Sequence, residues 1–187
     1  MALVGKKFPN VTVDAISKSG ENQRINILDE AVNKQTKVLL FWYPKDFTFV
    51  CPTELHAFQA ALEEFKNRNT IVIEGVSYPL LADTHRQLAN ILGIVDQEFE
   101  YDEEGNEVFT GSNVTYRATY LIDEEGKIFH ESVNDMPLGR NVAEYLRLID
   151  AYTHVQKYGE VCPANWQEGK DAMHADRSST AAYLSSH

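Results

Sequence analysis

The sequence predicts an α/β domain organised around a central sheet, and three observations carry that expectation. The run Val38-Leu39-Leu40-Phe41-Trp42-Tyr43 is apolar without a break and stops at Pro44, as suits a strand buried on both faces. Leu55, Phe58, Leu62 and Phe65 then fall three and four apart, the spacing of one helix face. Downstream, short β-branched runs alternate with segments that carry helix caps. At 187 residues and 43% hydrophobic content the chain can fill one core. The expected division is a domain over residues 1–158 and a polar arm over residues 159–187.

From the N-terminus, Val11 to Ile16 and Arg24 to Leu28 read as two short strands around the turn-forming pair Ser19-Gly20. Whatever follows Pro44 sits at a strand's carboxyl end, the usual place for sites in open α/β sheets. Pro52 suits the first position of the next helix and Glu54 its acidic first turn, so Cys51 is expected at that helix's N-terminal edge. Asn69 to Ile73 is a further β-branched run, Tyr78 to Ala82 a short strand, and Asp83 to Gly93 a helix with an N-cap and a C-terminal glycine. Asp96 to Glu107 holds seven acidic residues and no basic one. With Phe99, Tyr101, Val108 and Phe109 flanking Glu104-Gly105-Asn106, that stretch reads as an exposed acidic hairpin. Thr115 to Ile122 and Lys127 to Val133 form another hairpin around Asp123-Glu124-Glu125-Gly126. Asn141 caps a long helix with Glu144 three residues on, and Val142, Tyr145, Leu146, Ile149 and Tyr152 supply its buried stripe up to Gly159. The remainder is polar and carries Cys162.

A formal net charge of -11 excludes nucleic acid and anionic membranes as expected partners, because binding a polyanion takes clustered Lys and Arg. No run of eighteen apolar residues occurs, and no apolar segment follows the lysines near the start, so a soluble, cytoplasmic protein is expected. His56, His85, His130, His154, His174 and His187 lack ligand spacing such as H-E-x-x-H, and there is no glycine-rich phosphate loop. Neither a metal nor a nucleotide or flavin cofactor is expected. The acidic hairpin lacks the alternating ligands of a calcium loop.

Two cysteines, Cys51 and Cys162, are too few for a disulfide scaffold or a cysteine-only zinc site, which leaves redox chemistry or inert burial. A thiol is a strong nucleophile only as the thiolate, and a helix N-terminus or a nearby guanidinium lowers its pKa. Cys51 has the first by position, and Arg117 is a candidate for the second. Taken singly, each residue also has a plain structural role. Cys51 suits a small buried position at a helix start, Thr48 a turn, Pro44 a strand end, Arg117 a solvent-facing hairpin position and Cys162 a free tail thiol.

The block Pro44-Lys45-Asp46-Phe47-Thr48-Phe49-Val50-Cys51-Pro52-Thr53-Glu54 weighs against those roles. Here the sequence resembles the peroxiredoxins, in particular the typical two-cysteine group that includes the peroxidase subunit of alkyl hydroperoxide reductase. Pro44, Thr48 and Cys51 match that family's proline, threonine and cysteine signature. The strand Val38 to Tyr43, the segment Tyr116-Arg117-Ala118-Thr119-Tyr120 and the turn Leu138-Gly139-Arg140 match too, as does Gly159-Glu160-Val161-Cys162-Pro163-Ala164-Asn165-Trp166. The resemblance implies a thioredoxin-like α/β fold with a central mixed sheet, and a hydroperoxide reductase without metal or prosthetic group. It implies that Cys51 is the peroxidatic thiolate, that Thr48 holds the peroxide, that Pro44 screens the sulfur and that Arg117 stabilises thiolate and leaving oxygen. Arg140 would be a second arginine near the site, and Glu54 the carboxylate that orients an arginine. Cys162 would resolve the sulfenic acid of a neighbouring subunit, making a homodimer the smallest catalytic unit, with rings of dimers in the family. A dithiol protein, either thioredoxin-like or a flavoprotein disulfide reductase, would supply electrons. Two rivals use the same fold: a thiol-disulfide oxidoreductase, whose usual C-x-x-C motif is absent, and a non-catalytic holdase with an inert Cys51.

One stretch departs from the family. Only Glu74-Gly75-Val76-Ser77 separates Ile73 from Tyr78, where the family has a strand end, a helix and a glycine-rich loop. If the flanking strands are parallel neighbours, as the resemblance implies, a crossover of about a dozen residues is needed, and four cannot make it. The missing helix belongs to the surface on which the family's dimers form rings, and the missing loop carries paired glycines associated with overoxidation. Either the sheet is rearranged locally or the sequence joins two segments that are not contiguous in the expressed protein, and in the first case weakened ring formation and resistance to peroxide are expected.

Overall fold

The chain begins with a hairpin, β1 (Thr12–Ile16) and β2 (Asn22–Asn26), and passes directly into helix α1 (Ile27–Lys34). Strand β3 (Lys37–Phe41) follows, then α2 (Val50–Ala60), α3 (Leu62–Asn67), β4 (Thr70–Ile73), β5 (Leu80–Ala82) and the short helix α4 (Gln87–Leu92). Two hairpins come next, β6 (Phe99–Tyr101) with β7 (Glu107–Phe109) and β8 (Arg117–Ile122) with β9 (Ile128–Asn134), before helices α5 (Val142–Tyr158) and α6 (Arg177–Ser186). The structure is a computed structural model that describes residues 2–17, 19–45, 48–73, 80–83 and 85–186, without the side chains of Leu80, Ala82 and Phe109. Asp46, Phe47, His187 and the short connection at residues 74–79 thus lie outside the described residues. The chain divides into two compact units, Met1–Arg140 and Asn141–His187, the second taking in α5 as well as the expected arm.

In the first unit a mixed sheet runs in the order β4-β3-β8-β9, with β3 parallel to β4 and antiparallel to β8, and β8 antiparallel to β9. Strand alternation sends its side chains into two layers. Val38, Leu40 and Trp42, with Ala118, Tyr120 and Ile122 beside them, share a core with Ile27 and Ala31 of α1 and Leu88, Ala89 and Leu92 of α4. Phe41 faces the other way and stacks on Phe58 of α2 at 4.2 Å between ring centroids. All five residues of β3 are buried, as the unbroken apolar run predicts, and the one charged member, Lys37, pairs with Glu124 at 2.9 Å. The α/β class with a central mixed sheet is the one the sequence leads one to expect.

Local differences have identifiable causes. The strand expected to reach Leu28 stops at Asn26, whose side chain accepts from the backbone N–H of Leu28 and Asp29 and so caps α1. Helix α2 starts at Val50 rather than Pro52, which places Pro52 third, still within the turn whose N–H groups need no intrahelical acceptor. Glu54 consequently lies past the first turn. Helix α4 is shorter than expected, yet Asp83 caps it, its carboxylate accepting from the N–H of Leu88 at 3.3 Å and of Ala89 at 2.8 Å.

Among the described residues β5 does not pair with β4. Instead β5 pairs antiparallel with β1, in a separate sheet of order β2-β1-β5. The physical reason is reach: the six residues between Ile73 and Leu80 are too few for a parallel crossover. The acidic stretch forms the expected hairpin, with Phe99 opposite Phe109 and Tyr101 opposite Glu107.

The second unit is built on α5, capped by Asn141 and closed by Gly159, whose φ of 68° is open to glycine at little cost. The Glu144 carboxylate takes both Nε and Nη2 of Arg147 at 2.7 Å. Helix α6 has no buried residue, so no apolar stripe announces it in the sequence. Among the described residues no helix is long and apolar enough to cross a membrane.

Candidate active site

Cys51 is the second residue of α2 and only 1% exposed. Position alone puts its sulfur near the positive end of the helix dipole. Arg117 enters from β8, where alternation aims it, like Thr119, away from the core that holds Ala118 and Tyr120. Its Nη1 donates to Cys51 Sγ at 3.4 Å and to Glu54 Oε2 at 2.7 Å, while its Nε donates to the Met136 carbonyl at 2.7 Å. The guanidinium is thereby held at both ends.

Glu54 stands one helical turn after Cys51 and is the anion on which two arginines converge. Its Oε2 also accepts from Arg140 Nη2 at 2.8 Å, and its Oε1 accepts from Arg140 Nε and the Arg140 backbone N–H, both at 2.9 Å. Arg140 further donates Nη1 to the Ala118 carbonyl at 2.9 Å and to Thr119 Oγ1 at 3.1 Å, and its guanidinium lies 4.8 Å over the Phe41 ring. With side-chain exposures of 4%, 2% and 0% for Arg117, Glu54 and Arg140, little water screens these charges.

The electrostatics follow from the count. Two guanidinium groups face one carboxylate, so the buried cluster carries an excess positive charge that an anionic Cys51 neutralises. Burial pushes the Cys51 thiol up, but hydrogen bonds from the Thr48 hydroxyl, the Lys45 backbone and Arg117, with the Arg117 charge, outweigh it and leave the thiol below its ordinary 9.0. The Thr48 hydroxyl also lies 3.2 Å from the Lys45 carbonyl oxygen, so its single hydrogen has two acceptors to choose between. For Glu54 burial again pushes up, and the Arg140 bonds and charge, then Arg117, bring the carboxyl below its ordinary 4.5.

Cys51, Thr48, Glu54, Arg117 and Arg140 are thus brought together. Pro44 sits half-buried at the bend after β3. Cys162 is in the second unit, half-buried, with Sγ 3.7 Å from the Ala151 carbonyl oxygen and Val161 bridged to Met173. Burial raises its pKa, with Arg147 opposing and Glu160 adding. Sequence reasoning missed the groups that aim the arginines, namely the Met136 and Ala118 carbonyls and the Thr119 hydroxyl. Backbone acceptors leave no trace in residue identity.

Comparison with known proteins bears directly on this arrangement. Residues 4–77 match the AhpC/TSA family model, and residues 151–186 match the C-terminal domain of 1-Cys peroxiredoxin. Alkyl hydroperoxide reductase C of Buchnera aphidicola subsp. Baizongia pistaciae is 35% identical over 98% of this chain and 97% of its own length. The chain belongs to the peroxiredoxins. The thioredoxin peroxidase of Echinococcus granulosus is 31% identical to this peroxiredoxin, over 99% of both chains. The reduced 2-Cys peroxiredoxin of Plasmodium vivax superposes with a TM-score of 0.85 and 32% identity, covering 99% of this peroxiredoxin and 100% of the other chain. It is a thiol-dependent peroxidase, an oxidoreductase. The Buchnera alignment spans 207 positions against a chain of 187 residues, and the AhpC/TSA match ends at residue 77, on the short connection.

Proposed function

We propose that Cys51 is the peroxidatic residue, and that it reduces hydrogen peroxide and organic hydroperoxides by direct displacement. The thiolate attacks the terminal peroxide oxygen, the O–O bond breaks, and the leaving oxygen departs as water or alcohol once protonated, leaving a sulfenic acid on Cys51. Thr48 holds the peroxide, Pro44 screens the sulfur, and Arg117 steadies both the anionic sulfur and the charge growing on the leaving oxygen. Glu54 and Arg140 act through Arg117, as positioning residues. Cys162 of a second copy of the chain then attacks the sulfenic sulfur, releasing water and forming an intersubunit disulfide, which a dithiol protein reopens. A thioredoxin-like carrier and a flavoprotein disulfide reductase both fit that step. The cytosol, as a reducing compartment, is where we place the cycle.

The observation that carries this reading is the Arg117 guanidinium bridging the Cys51 sulfur and the buried Glu54 carboxylate. Its test is peroxide treatment followed by non-reducing electrophoresis of wild type, Cys51→Ser and Cys162→Ser. A disulfide-linked dimer in wild type alone is expected, with peroxide consumption abolished only in Cys51→Ser. A dimer band that survives in Cys162→Ser would rule out the assigned resolving residue.

A further inference from the structure

On the face of the sheet opposite Cys51 lies a recess of about 190 Å³, lined by Trp42, Pro44, Leu81, Arg86, Asn113 and Thr115 among others. The placement follows from alternation. Trp42 packs with Leu40 and Tyr120, whereas Phe41 stacks on the helix that carries Cys51. The walls mix polar and apolar groups in comparable measure, the Thr115 hydroxyl donating to the Tyr43 carbonyl at 3.3 Å. The Asp83 carboxylate also lines the recess, where it accepts from the N–H groups of Leu88 and Ala89. Among the described residues the Arg86 guanidinium has no hydrogen-bond or ion-pair partner, although it is half-buried in a strongly acidic chain. Of the lining residues, Arg86 at φ 52° holds the left-handed backbone that a long side chain disfavours, whereas Asn113 at φ 54° takes it at little cost. Such strain concentrates at sites that bind.

We propose that this recess is a binding site for a short-chain monocarboxylate, with Arg86 taking the carboxylate and Trp42, Leu81 and Ala89 receiving its apolar body. A guanidinium matches a carboxylate in shape and charge and recognises it through paired N–H donors. A phosphate dianion would call for further donors, and Asp83 already occupies the helix N–H groups beside the recess. The volume is below the ~300–1,000 Å³ of sites for drug-sized ligands, which suits a small acid. The site is independent of the peroxidase reading, since no residue of the Cys51 cluster lines it except Pro44 at the shared bend.

The test is calorimetric titration of the reduced protein with butyrate, butyramide and inorganic phosphate, in wild type, Arg86→Gln and Arg86→Lys. Nuclear magnetic resonance of the two indole N–H groups locates the event. Butyrate should saturate one site and shift the Trp42 signal. Arg86→Gln should weaken it about tenfold or more, Arg86→Lys should weaken it less, and butyramide should not saturate. Arg86→Gln should still consume peroxide at the wild-type rate and melt at the wild-type temperature. Absence of saturable butyrate binding, equal binding of butyramide, tighter binding of phosphate, or a shift confined to Trp166 would each overturn the assignment.

Discussion

The sulfur of Cys51 is reactive only as far as its neighbours keep it anionic, so the first predictions concern single side chains. Arg117→Ala removes both a hydrogen bond to the sulfur and the adjacent charge. Loss of one preorganised donor of this kind costs about 10²–10³ in rate, and stopped-flow oxidation of Cys51 by hydrogen peroxide should show a fall of that order. Because the folded pKa lies below the ordinary 9.0, the thiolate is fully favoured above 9.0 and is lost as pH falls through the depressed value. The oxidation rate should therefore be flat at alkaline pH and decline on acidification, with a midpoint below 9.0 in wild type and nearer 9.0 in Arg117→Ala. Identical profiles would separate the arginine from the chemistry.

Glu54 tests a different quantity. Glu54→Gln leaves two guanidinium groups buried against an amide, and breaking a buried pair of this sort costs about 3–5 kcal/mol. Urea denaturation at neutral pH should show a loss of that order. Since the Glu54 carboxyl is depressed, its stabilisation is present above the ordinary 4.5 and disappears as pH falls through the folded value, so the gap between variant and wild type should close in acid.

Elements, rather than residues, decide where these groups meet. Strand β8 delivers Arg117, helix α2 delivers Cys51 and Glu54, and the turn after β9 delivers Arg140. The β6-β7 hairpin is attached through Asp96, whose carboxylate accepts from the Ser112 N–H at 2.9 Å and the Tyr116 hydroxyl at 3.1 Å. Gly111 closes its base, and a Cβ there would lie 2.6 Å from the Glu98 nitrogen and 2.7 Å from the Asp96 carbonyl oxygen, both backbone. Gly111→Ala should accordingly raise hydrogen exchange across residues 98–110 and cost about 1–3 kcal/mol, leaving Cys51 reactivity intact. An unchanged exchange pattern would mean the base can shift at no cost.

Assembly belongs to the chain as a unit. Only six residues, 74–79, join β4 to β5 in the sequence, too short a stretch for the helix through which, as the resemblance implies, dimers form rings. Light scattering of the reduced protein should report a dimer. A stable decamer would show that the ring surface survives without that helix.

Much of the site could be read in advance because its chemistry is local in sequence. Pro44, Thr48, Cys51 and Glu54 fall within eleven residues, and the apolar run before them announces the strand that ends at the site. Helix α1 was legible in principle from Asn26, Asp29 and Lys34, but Ile27 and Leu28 continue the preceding strand pattern and conceal its start. Spacing and capping were enough to specify the central strand and the helix bearing Cys51, since those depend on short-range periodicity, whereas the kind of chemistry came from the resemblance carried by Pro44, Thr48 and Cys51. Tertiary structure alone decided that one carboxylate serves both arginines, that backbone carbonyls aim them, and that β5 pairs with β1. Those facts depend on which segments meet across tens of residues, and that is settled by chain reach and by competition for buried hydrogen bonds.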